Sequence, residues 1–323
     1  MVDLPVPENE EFDEELPSHG GAERPLAPGL YLVGTPIGNL EDITLRAIRV
    51  LKSADRIACE DTRQTQKLLN HFGIATPTVS LHLHNERERA GELVAELKAG
   101  RRIALVSDAG MPGISDPGGY FTHAAIEAGV TVYPIPGANA AVSALVASGL
   151  STAAFQFLGF LPEKAGARRT VLEGLAKAVS SESQSTLIFY EAPHRILETL
   201  ADLESVWGPG LRVVVAREVT KLHEEFLRGG VAEVKANLAA RDRVRGEITL
   251  LVDAVPLTET QQDGSLSLLN RLQQLESSEG LSEKDALKRI AREMGQGKSD
   301  LYRELQRERA KAQGPGAAKK RGS

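Results

Sequence analysis

Thirteen consecutive residues, Ser107-Asp-Ala-Gly-Met-Pro-Gly-Ile-Ser-Asp-Pro-Gly-Gly119, contain four glycines and two prolines. No helix or strand tolerates that density, so the stretch must be a tightly folded loop. The apolar run Ile103 to Val106 comes directly before it and reads as a buried strand. Two acids, Asp108 and Asp116, sit in the loop and can accept hydrogen bonds from a cationic or hydroxyl-bearing ligand. An ordinary strand-to-helix turn is the plain alternative. The concentration of special residues argues instead for a cofactor loop, where backbone must approach a ligand closely.

The same arrangement recurs along the chain. Leu30 to Val33 is a short apolar strand that runs into the turn-rich loop Gly34 to Asp42. Asp42 is a plausible N-cap for the amphipathic helix that follows from Thr44 to Leu51. Strands are expected at 56–59, 78–81, 103–106 and 130–133, with helices at 64–71, 84–98, 121–128 and 140–147 between and after them. Alternating strands and helices predict a mainly parallel sheet. Ligands bind such sheets beyond the carboxyl ends of the strands. The loops 34–42, 107–119 and 134–139 all leave carboxyl ends and can share one crevice. Gly34 and Gly38 do not make a G-x-G-x-x-G dinucleotide fingerprint.

Composition shifts near Ser148. Strands at 155–162, 186–190, 212–216 and 247–252 and helices after residues 167 and 195 then make a second α/β domain. The expected division is an acidic tail 1–28, domains 29–148 and 149–255, a linker and helical appendage 256–309, and a basic tail 310–323. In the appendage, Leu287, Ile290 and Met294 pair with Leu301 and Leu305 across a break at Gly295 to Gly297.

Charge follows this division. Residues 1–28 carry eight acids, one base and five prolines, too little apolar surface to offset ordering entropy, so disorder is expected there. The whole chain is −6, so the remainder is close to neutral, yet the last 43 residues carry twelve Lys or Arg against six acids. A polyanion contact is therefore expected toward the C-terminus. The one cysteine, Cys59, excludes an intrachain disulfide, and no Cys/His cluster has zinc spacing. No signal peptide or long apolar run is visible, and a cytoplasmic protein without a membrane span is expected.

Three charged strand ends stand out. Glu191-Ala-Pro-His-Arg195 places His194, a residue type suited to proton transfer, and Arg195, a residue type that can bind phosphate bidentately, after a strand. Glu60-Asp-Thr-Arg63 has the same shape, and Arg217, Glu218 and Lys221 form the third. For the first two the plain alternative is a helix start with solvated charges. His82 and His84 alternate on an expected strand, with no third ligand nearby for a metal. Gly297-Lys-Ser299 is not a phosphate-binding loop, because Arg292 stands where that motif needs glycine. Aromatics are 4% of residues, so base stacking is not the expected source of affinity for RNA.

Taken together, the strings L-Y-L-V-G-T-P-I-G-N-L-E-D, E-D-T-R, S-D-A-G-M-P-G-I-S-D-P-G, P-G-A-N-A, F-L-G-F-L-P, Y-E-A-P-H-R, R-E-V-T-K and G-E-I-T-L-L-V are specific. In this order they resemble the small-subunit ribosomal RNA cytidine 2′-O-methyltransferases of the tetrapyrrole methylase superfamily. The resemblance covers about residues 29–309. It implies two α/β domains of tetrapyrrole-methylase type, S-adenosylmethionine between them, a homodimer, and methylation of a cytidine ribose in the decoding region of the small subunit. It implies that Thr35, Pro36 and Gly38 line the cofactor cleft and that Asp108, Gly110, Pro112, Ile114 and Ser115 form its main wall. It places Pro136, Gly137 and Ala138 near the cofactor, with Tyr190, Glu191 and Ala192 approaching from the second domain. The loop Gly34-Thr-Pro-Ile-Gly-Asn39 departs from the G-x-G-P-G-D-like first loop of tetrapyrrole-modifying relatives.

A methyl donor that carries its own leaving group needs no metal, only alignment with the attacking oxygen. The ribose hydroxyl loses a proton as it attacks, so a positioned base helps. His194 or Glu191 is the first choice, with Glu60 and Lys221 in reserve; Arg63, Arg195 and Arg217 are the candidate RNA ligands. The alternatives are a tetrapyrrole methyltransferase and a non-catalytic RNA- or ribosome-binding protein on the same fold.

Overall fold

A computed structural model describes residues 25–179, 185–254, 272, 275, 281–294, 301–303 and 305–306. The expectations for the two tails, most of the linker and the break at Gly295 to Gly297 lie outside the described residues.

Residues 25–139 build the first unit around a five-stranded sheet. Its strands are β1 (Gly29–Val33), β2 (Arg56–Cys59), β3 (Thr78–Ser80), β4 (Arg102–Val106) and β5 (Val132–Ile135). They run β3-β2-β4-β1-β5, every pair parallel. The helices are α1 (Leu45–Ser53), α2 (Thr62–His71), α3 (Glu86–Lys98) and α4 (Gly119–Glu127). Side chains alternate along each strand, so both faces of the sheet need cover. Tyr31 and Val33 pack with Val50, Leu51 and Leu69 from α1 and α2. Leu30 and Leu32 turn to the other face and pack with Leu93 of α3 and Phe121 of α4. Thr44, not Asp42, caps α1: its side chain accepts from Ala47 N, while Asp42 belongs to a short 3-10 turn.

The second unit begins at Ala140, nine residues earlier than the composition suggests. The reason is α5 (Ala140–Ser148): Ala141, Ala144 and Leu145 pack on Ile188, Val214 and Leu251 of the second sheet. That sheet contains β6 (Phe155–Phe160), β7 (Ser185–Glu191), β8 (Arg212–Arg217), β9 (Glu225–Gly230) and β10 (Ile248–Ala254), in the order β6-β7-β10-β8-β9. Only β6 and β7 are parallel; the other three pairings are antiparallel, so the expectation of a mainly parallel sheet holds in the first unit alone. Helices α6 (Ala165–Ala178), α7 (Ile196–Trp207) and α8 (Val231–Ala239) cover the face opposite α5. Two elements, β9 and α8, were not expected from the sequence. β9 mixes charge with two terminal glycines and lacks strand-like alternation; α8 had a readable signal in Val231, Val234 and Leu238. Helix α9 (Glu283–Met294) places Leu287 and Ile290 in one apolar cluster with Leu301, Leu305 and Leu272.

Candidate active site

In the first unit β1 and β4 are neighbours, but the chain leaves them in opposite directions across the sheet. After β1 it crosses toward β2; after β4 it crosses toward β5. Their loops diverge to helices on opposite faces, and this switch point is where an open parallel sheet accepts a ligand.

Three loops converge there. Thr35 and Gly110 form an isolated antiparallel bridge: Thr35 N donates to Gly110 O at 2.9 Å and Gly110 N to Thr35 O at 3.1 Å. The Thr35 hydroxyl, buried, also donates to Ser107 O at 3.2 Å. Gly34 lies so close to the third loop that a Cβ on it would stand 2.7 Å from Gly137 Cα. A Cβ on Gly110 would reach Ala138 O at 3.6 Å and Ile37 at 3.4 Å. Thr35, Gly110, Gly137 and Ala138 are thus brought together; Pro36 and Pro112 are buried beside them in sequence, and Gly38, Ile114, Ser115 and Pro136 are exposed. Ser115 holds φ +62, a strained value for a residue with a side chain.

One support was not readable in the sequence. Glu86, buried on α3, accepts from Gly118 N and Phe121 N, each at 3.0 Å. It caps the start of α4 from another helix and so anchors the far end of the glycine loop.

The rim of this cluster is acidic. Asp61 N donates to Asp108 Oδ1 at 3.3 Å, which ties the β2 end to the glycine loop. Burial raises the Glu60 carboxyl above its ordinary value, and the charges of Asp116, Asp108 and Asp61 push it further. Asp116 is raised by burial and by Asp108, against a hydrogen bond from Ser107. Among the described residues no basic group contributes to either shift. Among the described residues no group of three or more His, Cys, Asp or Glu is arranged to hold a metal ion. Asp61 is paired with Arg63, and the remaining acids of the rim, on close-packed backbone loops, suit an organic cation such as a sulfonium or ammonium group.

In the second unit, β6, β7 and β8 point their carboxyl ends to one sheet edge, with the start of β10 between the last two. Glu191 is buried at the end of β7 and saturated. Thr199 Oγ1 donates to its Oε2 at 2.6 Å, Ala192 N donates to its Oε1 at 2.8 Å, and Arg195 Nε lies 3.1 Å from Oε1. Arg195 also donates to Leu161 O at 2.8 Å. This set fixes the turn and leaves Glu191 little capacity as a proton acceptor and Arg195 little for phosphate. His194 stands exposed at the apex of the same turn. Tyr190 packs edge-on against Phe157 and Phe160.

Lys221, the other reserve base, is held as a cation. Burial disfavours its charge, but hydrogen bonds to Glu247 and Glu218, both 3.0 Å, outweigh burial and hold it above the usual lysine value. It is a structural cation that closes the β8–β9 hairpin, where Glu218 and Thr220 both adopt positive φ. Arg217 is committed to Glu225 at 2.9 Å. His82 and His84 lie in a turn, not on a strand, with ring centroids 6.0 Å apart.

Residues 29–235 match the family of Tetrapyrrole (Corrin/Porphyrin) Methylases. The chain belongs to the tetrapyrrole methylase family. Among its relatives, Ribosomal RNA small subunit methyltransferase I of Halalkalibacterium halodurans is 49% identical, the match covering 84% of this chain and 93% of that protein. The protein of the same name from Bacillus subtilis is 44% identical over 84% of this chain and 92% of its own length. A solved structure of the methyltransferase CobJ has a TM-score of 0.51 and 19% identity, covering 70% of this chain and 94% of that one, a likeness of fold alone. In this methylase the glycine loop after β4 and the loop after β1 are the paired backbone elements that the switch point demands.

Proposed function

We propose that this methylase transfers a methyl group from S-adenosylmethionine to the 2′ oxygen of a cytidine ribose in the decoding region of small-subunit ribosomal RNA. It acts as a cytoplasmic homodimer. The observation that carries this reading is the likeness, across 84% of the chain, to relatives named for methylation of that RNA. The loop cluster supports it. S-adenosylmethionine supplies an activated methyl group on a cationic sulfonium. Thr35, Gly110, Gly137 and Ala138 offer the close backbone wall for it, and Asp108, Asp116 and Glu60 the matching negative charge. The ribose hydroxyl must shed a proton during attack. His194 is the accepting group best presented by this chain, since Glu191 and Lys221 are committed to other bonds. Among the described residues no helix is long and apolar enough to cross a membrane.

The test is methyl transfer from labelled cofactor to small ribosomal subunits lacking the modification. A 2′-O-methyl group removes the nucleophile that lets alkali cleave the adjoining phosphodiester. Hydrolysis should therefore release a labelled, alkali-resistant dinucleotide containing cytidine. Label on a nucleobase would overturn the ribose assignment. Label on a coloured macrocycle supplied in parallel would move the protein to tetrapyrrole chemistry.

A further inference from the structure

The three arginines expected to meet phosphate are not equivalent. All three are paired with an acid, but Arg195 and Arg217 are largely covered beside Glu191 and Glu225, whereas the Arg63 side chain is 87% exposed beside Asp61. Asp61 orients it through two hydrogen bonds, from Nε at 3.2 Å and Nη2 at 2.9 Å. Arg63 opens a groove of about 460 Å³ between α2 and the start of the edge strand β3. Thr62, Arg63, Gln66, Lys67, Asn70 and Thr78 line it, so every wall residue is polar and two are cationic. Lys67 Nζ donates to the neutral Gln64 at 2.7 Å, not to an acid. Gln66 Nε2 donates to Asn70 Oδ1 at 2.8 Å, which leaves the Gln66 carbonyl and the Asn70 amide N–H groups for a ligand.

We infer that this groove holds the ribose–phosphate chain of the substrate RNA beside the target nucleotide; the inference rests on the RNA reading above. The cations and amide N–H groups match non-bridging phosphate oxygens, and the Gln66 oxygen matches a 2′-hydroxyl. The lining holds no aromatic side chain, so contact is to backbone rather than to bases. Position agrees as well. The groove starts one residue after Asp61, whose N–H meets Asp108 of the glycine loop, and follows α2 away from it. The acidic rim at its head repels phosphate, so the RNA chain is held from Arg63 onward along the helix.

The experiment measures binding of small ribosomal subunits lacking the modification across a salt series. Lys67→Gln should lower affinity and reduce the log–log salt slope by about one, and Arg63→Ala with Lys67→Gln by about two. Cofactor binding by calorimetry should be unchanged in both, which also shows that the unit is folded. Lys98→Ala, an exposed cation at the far end of α3, is the control and should leave the slope as in wild type. A wild-type slope in both groove variants overturns the inference, as does an equal loss in the Lys98 control. If wild-type protein methylates the subunit and the groove variants do so with unaltered KM, only the groove assignment falls. If wild-type protein neither binds nor methylates it, the RNA reading falls first.

Discussion

Gly34 and Gly137, more than a hundred residues apart, are packed so closely that neither can carry a side chain. A Cβ on Gly137 would lie 2.7 Å from Gly34 O, and one on Gly34 would also meet Met111 Sδ at 2.8 Å. The loops after β1 and β5 therefore touch backbone to backbone. Gly137→Ala should destabilise the protein by roughly 1–3 kcal/mol through overpacking and weaken S-adenosylmethionine binding. Gly129→Ala is the wrong control, because Gly129 holds φ +74; Gly91→Ala, with open space around it and no positive φ, is the right one. Thermal melts and calorimetry check both, and an unperturbed Gly137→Ala would refute the packing.

Glu86 serves the glycine loop from outside it. Glu86→Ala leaves Gly118 N and Phe121 N without their shared acceptor, which should cost about 0.5–2 kcal/mol and reduce cofactor affinity. Glu86→Gln keeps an acceptor oxygen and should recover most of both. Equal losses in the two variants would mean that charge, rather than capping, is what matters.

His194 and its turn separate by their kinetics. His194→Ala should lower kcat by about 10²–10⁴-fold while cofactor affinity survives. Thr199→Val removes the 2.6 Å hydrogen bond to buried Glu191 and should cost roughly 1–3 kcal/mol of stability. Thr199→Ser should restore it. A His194 variant with normal kcat would leave proton removal to solvent.

Cofactor binding should depend on pH through the acidic rim. The pKa values of Glu60 and Asp116 are raised, so both hold protons to a higher pH than ordinary carboxyls. A bound cation favours their ionised forms, and binding must release protons. Affinity should fall as pH drops through the raised range, and Asp116→Asn should flatten that dependence. Calorimetry in buffers of different ionisation heat measures the released protons directly.

Acid stability rests on pKa shifts of the opposite direction. Hydrogen bonds from Arg102 hold Asp55 at about 2, and Arg241 with Arg217 hold Glu225 at about 2. Folded pKa values below the unfolded ones give stabilisation that is complete above the unfolded pKa values and is lost as pH falls from there toward 2. Solvent screening limits each to about 1 kcal/mol. Asp55→Asn should reduce stability at neutral pH, and the difference should shrink steadily as pH falls through about 2, as read from denaturant melts.

Much of this protein was legible in its sequence because the signals are local. Apolar runs of four or five residues, broken by Gly- and Pro-rich loops, define β1 and β4 and place the ligand loops at their carboxyl ends. Periodicity defines the helices, and the motif strings are sufficient for the family. What the tertiary structure decided depends on residues far apart in the chain. Strand direction in the second sheet is one case, since a short apolar run carries no sign of parallel or antiparallel pairing. The partners of charged residues are the other. Glu191, Arg195 and Lys221 read as chemistry from their neighbours in sequence, but Thr199, Leu161 and Glu247 bind them in the fold. A buried charge is stable only when paired, and which group pairs with it is settled by packing. Packing therefore leaves His194 and Arg63 exposed, while Glu191 and Arg195 become the frame that holds the His194 turn.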